Sequence, residues 1–373
     1  MGSRSGSVIS FILPCILFLA SCCLFEAAAQ GSIPALYVLG DSQADAGTNN
    51  YLLTPLRADI PHNGVDYPGC KATGRFSNGK NFVDFLAGHL QLLSPPPYLS
   101  VYSPLSSKSI YLKGINFASG GAGVSNQTNK GLCVSFDYQI DHHYSEVYAS
   151  LVQQLGQEEA SAHLGRSIFA VAIGGNDIIN YVNQSRVDKL LSSPPQAPPE
   201  QFIDSLALSL KGQLQRMYDL GMRKLFVVGA APLGCCPVLR GRAPANECDK
   251  EANDLSARYN IAVASLLDDM SARHPDMRYS LFDVATTLLE YIRQPQTNGY
   301  DVVDAACCGL GDKNAMFSCT PVSSLCENRT NHIFWDFVHP TETTAQKLTA
   351  VAFNGAAPLV TPINVRQLRD AAI

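Results

Sequence analysis

Four short clusters hold the residues that could do chemistry. Leu39-Gly40-Asp41-Ser42-Gln43-Ala44-Asp45 sets a serine directly after an apolar run and its glycine. At the carboxyl end of a buried strand, such a side chain stands at the rim of a sheet on rigid backbone, where sites of open α/β sheets form. Asp or Ser after a strand also serves to cap a following helix, so this segment alone allows either role. Trp335-Asp336-Phe337-Val338-His339-Pro340 puts a carboxylate three residues before an imidazole. On a turn the two can face the same way. The carboxylate then holds the imidazole in one tautomer and stabilises its protonated form. A surface ion pair would show the same spacing.

Two further clusters could supply donors. In Asn116-Phe-Ala-Ser-Gly-Gly-Ala-Gly123 the glycines let backbone approach a ligand closely and leave N–H groups facing outward. Tight packing is the plainer use. A phosphate loop is disfavoured, because neither a dinucleotide fingerprint nor a Gly-Lys-Ser/Thr is present. Ile173-Gly174-Gly175-Asn176-Asp177 offers a side-chain amide that can donate to a developing oxyanion, or an Asn in a left-handed turn. Together, a serine, a glycine N–H, an asparagine amide and an Asp–His pair are what acyl transfer requires: nucleophile, oxyanion donors, base and orienter.

The elements that must position them follow a repeating pattern. Apolar runs at 35–39, 115–118, 168–173 and 225–228, with a weaker one at 278–282, alternate with helical spacing at roughly 80–92, 144–164, 200–220, 247–273 and 341–353. Apolar run, glycine turn and helix, repeated, predict an α/β fold with a parallel sheet covered on both faces. Three of the four clusters fall at predicted strand ends. Pro340 suits the first position of a following helix, which would put His339 at its start. The stretch 294–335 holds four cysteines and few helical signals, and reads as a disulfide-stapled insertion.

Composition narrows the function classes. The chain has 373 residues, 46% hydrophobic and only 16% charged, with a formal net charge of −5 and no basic run. Whole-chain disorder and a nucleic-acid partner are both disfavoured. Arg4, the apolar residues 8–19 and Ala27-Ala28-Ala29 have the form of a secretory signal peptide, so residues 1–29 are expected to be removed. No second run approaches the length that spans a bilayer, so no stable membrane insertion is expected after cleavage. Beyond the leader stand Cys70, Cys133, Cys235, Cys236, Cys248, Cys307, Cys308, Cys319 and Cys326, without a Cys-x-x-Cys. Disulfides fit that compartment better than metal. The local loops expected are Cys235 or Cys236 with Cys248, and Cys307 or Cys308 with Cys319 or Cys326. An odd number leaves at least one thiol outside them. Asn126, Asn183 and Asn328 open glycosylation tripeptides. Asp141-His142-His143 lacks a third metal ligand and reads as a polar helix start. No metal or cofactor is expected.

In order and spacing, the four clusters resemble the GDSL esterase/lipase family of the SGNH hydrolase superfamily, most of all its plant members. Gly74-Arg-Phe-Ser-Asn-Gly79 and Cys307-Cys308-Gly309 are similar to landmarks of the plant type. The resemblance covers nearly all of residues 33–352. It implies a three-layer α/β/α sandwich, flavodoxin-like, with about five parallel strands. It implies Ser42 as nucleophile, His339 as base, Asp336 as its orienter, and Gly120 and Asn176 as oxyanion donors beside the Ser42 N–H. The choice of Gly120 over Gly121 is left open by the doublet. Gln43 and Leu39 depart from the Leu and Phe usual at their positions. Gly-x-Ser-x-Gly is missing, against the α/β-hydrolase elbow. Because Ser42 and His339 lie near opposite ends, residues 30–373 are expected to form one domain. The implied activity is that of a secreted carboxylic ester hydrolase acting on a small-molecule or polymer-linked acyl ester. The alternatives are an acyltransferase with the same site, or an inactive secreted glycoprotein.

Overall fold

The computed structural model of the chain describes residues 33–103, 108–191, 196–243 and 247–373, with Gly2 and Ala245. Apart from Gly2, the leader segment lies outside the described residues. The central sheet is built on β1 (Leu36–Gly40), β2 (Ile168–Ala172), β3 (Lys224–Val228) and β4 (Arg278–Phe282). These four lie in chain order and pair in parallel. β1 and β2 are buried at every position, which is why they read as unbroken apolar runs rather than alternating ones.

The sheet differs from the expected one at both edges. Residues 115–119 run beside β1, where Val38 N–H donates to Ile115 O at 2.9 Å and Phe117 N–H donates to Val38 O at 2.7 Å. This fifth parallel segment is irregular because Asn116 also bridges Pro97. At the far edge a short strand, Val360–Pro362, pairs antiparallel with β4. Its three residues are too few to leave an alternation that sequence reading could find.

Helices flank the sheet on both sides. α1 (Phe82–His89) packs on α8 (Glu342–Asn354), which also meets α7 (Val284–Arg293) and α9 (Val365–Asp370). On the other side α6 (Lys250–Arg273) packs on α4 (Gly175–Leu191) and α5 (Pro199–Asp219). α1 starts at a reciprocal cap between Asn81 and Asp84, and Asp249 caps α6. The segment expected as one helix over 144–164 is two, α2 (Ser145–Leu155) and α3 (Gln157–Arg166), broken at Gly156 with φ +83°. Asp141-His142-His143 lies inside a π-helical turn, not at a helix start.

The insertion is stapled as two nested loops, Cys307–Cys326 and Cys308–Cys319; Cys235–Cys248 forms a third bridge. Cys70, Cys133 and Cys236 carry free thiols. Within the insertion β5 (Val302–Ala306) pairs in parallel with β6 (His332–Phe334), the strand that delivers Trp335 and Asp336. The buried Trp335 packs against the paired cysteines, and its indole N–H donates to Asn63 Oδ1 at 3.0 Å.

Candidate active site

The turn after β1 is wound tightly. Gly40 has φ +141°, and a Cβ there would lie 2.1 Å from Ala172 O, so the position admits only glycine. The buried Gln139 amide accepts from Gly40 N–H at 2.9 Å and donates to Gly40 O at 2.8 Å. Asp41 O accepts the N–H groups of Ala44 and Asp45, and Asp41 Oδ1 accepts that of Gln43 at 3.0 Å. Ser42 N–H has no protein acceptor among the described residues. The turn therefore consumes its neighbours' amides and leaves that of Ser42 available. Burial pushes the Asp41 carboxyl up to about 7, against the pull of the Gln43 amide.

His339 approaches from the other end of the chain. Its Nδ1 lies 2.8 Å from both carboxylate oxygens of Asp336, and its Nε2 lies 2.7 Å from Ser42 Oγ. An ionised carboxylate only accepts, so the proton shared there sits on Nδ1 and leaves Nε2 to accept from the Ser42 hydroxyl. Asp336 Oδ1 also accepts the backbone N–H groups of Val338 and His339, at 3.0 and 2.8 Å. Both side chains are about 95% shielded from solvent. His339 does not open the helix as Pro340 suggested. Thr341 caps α8, accepting from Thr344 N–H at 3.3 Å, while Pro340 bridges Phe334. His339 is thus held by a pinned turn rather than by helical backbone.

The expected oxyanion donors come from the glycine loop and from the start of α4. Asn176 lies in the first turn of α4, and its amide donates one hydrogen to Ala122 O at 3.0 Å, leaving the other free to point elsewhere. Gly120 differs from expectation: its N–H donates to Asp45 Oδ2 at 2.9 Å and is not available to a substrate. Gly121, with φ +90°, has an N–H with no protein acceptor among the described residues. Gly120 is glycine for another reason, since a Cβ would press on the Phe76 ring at 2.6 Å.

Several positioning residues carried no signal of their own in the sequence. Asp45 also accepts from Gly47 and Thr48 N–H, both at 2.7 Å. Asp177 accepts from Val124 N–H, Ser125 N–H and the Thr128 hydroxyl at 2.8, 3.0 and 2.6 Å. The glycine loop is thus clamped at both ends by buried carboxylates. Burial raises the Asp45 carboxyl to about 6 and raises Asp177 as well, while the hydrogen bonds oppose it. Phe76 packs on the His339 ring with centroids 4.9 Å apart. Arg75 beside it is locked bidentate on Asp84, both contacts at 2.7 Å. The signal was the Gly-Arg-Phe-Ser-Asn-Gly run itself, which marks the place without declaring the role.

Behind Ser42 opens a cavity of about 110 Å³, with Ser42, Gln43 and Asn176 toward the site and Phe226, Phe282 and Leu348 among its inner walls. Asn126 and Asn328 are exposed on loops, whereas Asn183 sits partly exposed in α4 and accepts from Arg242 at 2.9 Å. Among the described residues no cluster of His, Cys, Asp and Glu could hold a metal, and no helix is long and apolar enough to cross a membrane.

Residues 36–351 match the family described as GDSL-like Lipase/Acylhydrolase. Three GDSL esterase/lipases of Arabidopsis thaliana are 38%, 35% and 34% identical to the chain. The matches cover 90%, 91% and 96% of this chain, and 90%, 90% and 96% of theirs. An extracellular lipase from Streptomyces rimosus overlaps 85% of the chain and 99% of its own length at 15% identity, a weak likeness with a TM-score of 0.34. The family match and the Arabidopsis relatives define a carboxylic ester hydrolase. The chain belongs to the GDSL esterase/lipase family.

Proposed function

We propose that the chain is a secreted serine esterase in which Ser42, His339 and Asp336 form the catalytic triad of a single-domain enzyme. The observation that carries this reading is the unbroken run from Asp336 through His339 Nδ1 and Nε2 to Ser42 Oγ, at 2.8 and 2.7 Å. Ser42 Oγ attacks the ester carbonyl as its proton passes to His339 Nε2. The carbonyl oxygen becomes an oxyanion, received by Ser42 N–H, Asn176 Nδ2 and the Gly121 N–H in place of Gly120. Loss of one such donor typically costs about a hundredfold to a thousandfold in kcat. Collapse breaks the bond to the alkoxide, which takes the proton back from His339 and leaves as the alcohol. Water then attacks the acyl-enzyme, with His339 again as base, releasing the acid and restoring Ser42.

Secretion is supported by the leader, by three disulfides and by the exposed acceptor tripeptides at Asn126 and Asn328. The test uses the secreted, glycosylated protein and p-nitrophenyl esters, with Ser42→Ala alongside. The variant should stay folded and lose more than about 99% of turnover, within the range set by removing a triad member. A serine-directed phosphonate should label the wild type only. Turnover that survives Ser42→Ala in a clean preparation would remove Ser42 from the role.

A further inference from the structure

The cavity behind Ser42 has a chemistry distinct from that of the reacting groups. It lies between the sheet and helices α1 and α8. Its space comes from small side chains where larger ones would fit. Ala172 of β2 faces it beside Val228 of β3, its register partner, and α8 turns Ala345 and Ala352 toward it, two turns apart. Phe226 and Phe282 close the sheet side and are almost fully buried. Of the polar residues in the lining, Ser77 and Asn81 are already bonded to backbone. The Thr349 hydroxyl donates to Ala345 O at 2.7 Å, within its own helix. Asp41, beside Ser42, is the one charged residue in the lining. A sugar or a charged chain placed against these walls would lose its water and find few partners, which is costly. An alkyl chain would lose nothing and gain burial.

Size then limits the chain. An apolar cavity of about 150 Å³ takes benzene, with its six carbons. The cavity here, about 110 Å³, has room on that scale for about four carbons beyond the carbonyl.

We propose that this cavity is the acyl pocket, and that it fits the enzyme to unbranched acyl groups of about four to six carbons rather than to long-chain lipids. The proposal rests on Ser42 being the nucleophile. Each methylene buried in the transition state should raise kcat/KM about fourfold until the pocket is full.

The experiment is a series of p-nitrophenyl acetate, butyrate, hexanoate, octanoate and laurate on the full secreted protein, with two variants. The wild type should rise at least tenfold from acetate to its peak at butyrate or hexanoate, and fall at least tenfold from that peak to laurate. Ala352→Leu fills the inner end and should lower the hexanoate-to-acetate ratio about tenfold. Leu348→Ala enlarges it and should move the peak toward octanoate. Opposite shifts in two variants separate pocket filling from general damage, and if neither variant folds the wild-type series decides alone. A flat series, a laurate optimum, or the same ratio in both variants would overturn the proposal. If Ser42-dependent acetate turnover persists in that case, only the pocket assignment fails. Absence of both Ser42-dependent turnover and phosphonate labelling would remove the nucleophile, and the pocket assignment with it.

Discussion

Asp45 shows how a residue outside the reacting set can govern it. One carboxylate takes three backbone N–H groups, those of Gly47, Thr48 and Gly120, and so fixes the direction in which the glycine loop faces. Asp45→Asn keeps the size but replaces one acceptor oxygen with a donor, so the Gly120 contact or the turn must give. We expect kcat to fall about tenfold to a hundredfold, less than for outright removal of a donor, with KM within about twofold. A raised KM at unchanged kcat would place Asp45 in binding instead. Asp41 adds a pH effect. Its carboxyl rises from 3.8 to about 7 on burial, so the fold favours the protonated form. That contribution is fully present below about pH 4 and is lost as pH climbs through about 7, on the order of 4 kcal/mol in all. Asp41→Asn should therefore melt close to the wild type at pH 4 and increasingly above it toward pH 7.5. A difference that stays constant with pH would contradict this. Ser42, Asp336 and His339, which the fold brings into contact, were legible as candidates because the proposed chemistry needs those side chains in those local settings. Asp45, Asp177 and Phe76 were not, because they act through backbone and packing that only the fold brings near. The choice within the Gly120–Gly121 doublet turns on a single hydrogen bond, donated by Gly120 N–H to a carboxylate 75 positions away.

Among the elements, the stapled insertion has the most direct line to the site. Cys308 N–H donates to Trp335 O at 2.7 Å and Cys307 N–H to Phe334 O at 3.0 Å, so the bridged cysteines hold the strand that ends at Asp336. Replacing Cys308 and Cys319 by serine should cost about 3 kcal/mol, or about 4 °C in Tm for a chain of this length. Calorimetry would show it, and a matching loss in kcat would show that Asp336 has moved. An unchanged kcat at a lowered Tm would confine the staple to stability. Element reading from sequence succeeded where one face is buried: α5 and α6 emerged within a few residues of their bounds. It missed α4, whose residues 176–186 are mostly polar and whose buried positions, among them Ile178, Tyr181 and Val182, barely form a stripe. Asn176 was singled out as a candidate donor while the helix that carries it went unread. The local cysteine loops were foreseen as alternatives, and the fold pairs Cys235 with Cys248, Cys307 with Cys326 and Cys308 with Cys319.

At the scale of the whole molecule, the site is a junction between distant stretches of chain. The expectation of one domain came from this necessity, since Ser42 and His339 can serve one reaction only if the first strand and the last large helix share a unit. The hydrogen bond between them supports that reading. What no pattern announced was the finish of the sheet, where Val360–Pro362 covers the β4 edge and Arg369 O accepts from the buried Lys224 Nζ at 2.8 Å. An edge left open would be a template for pairing with other chains. This arrangement also has a consequence in time. Ser42 leaves the ribosome 297 residues ahead of His339, and the covering strand emerges later still. Until translation has almost ended, a growing chain holds Ser42 without the imidazole it meets in the fold, so the proposed triad can assemble only when the chain is nearly complete.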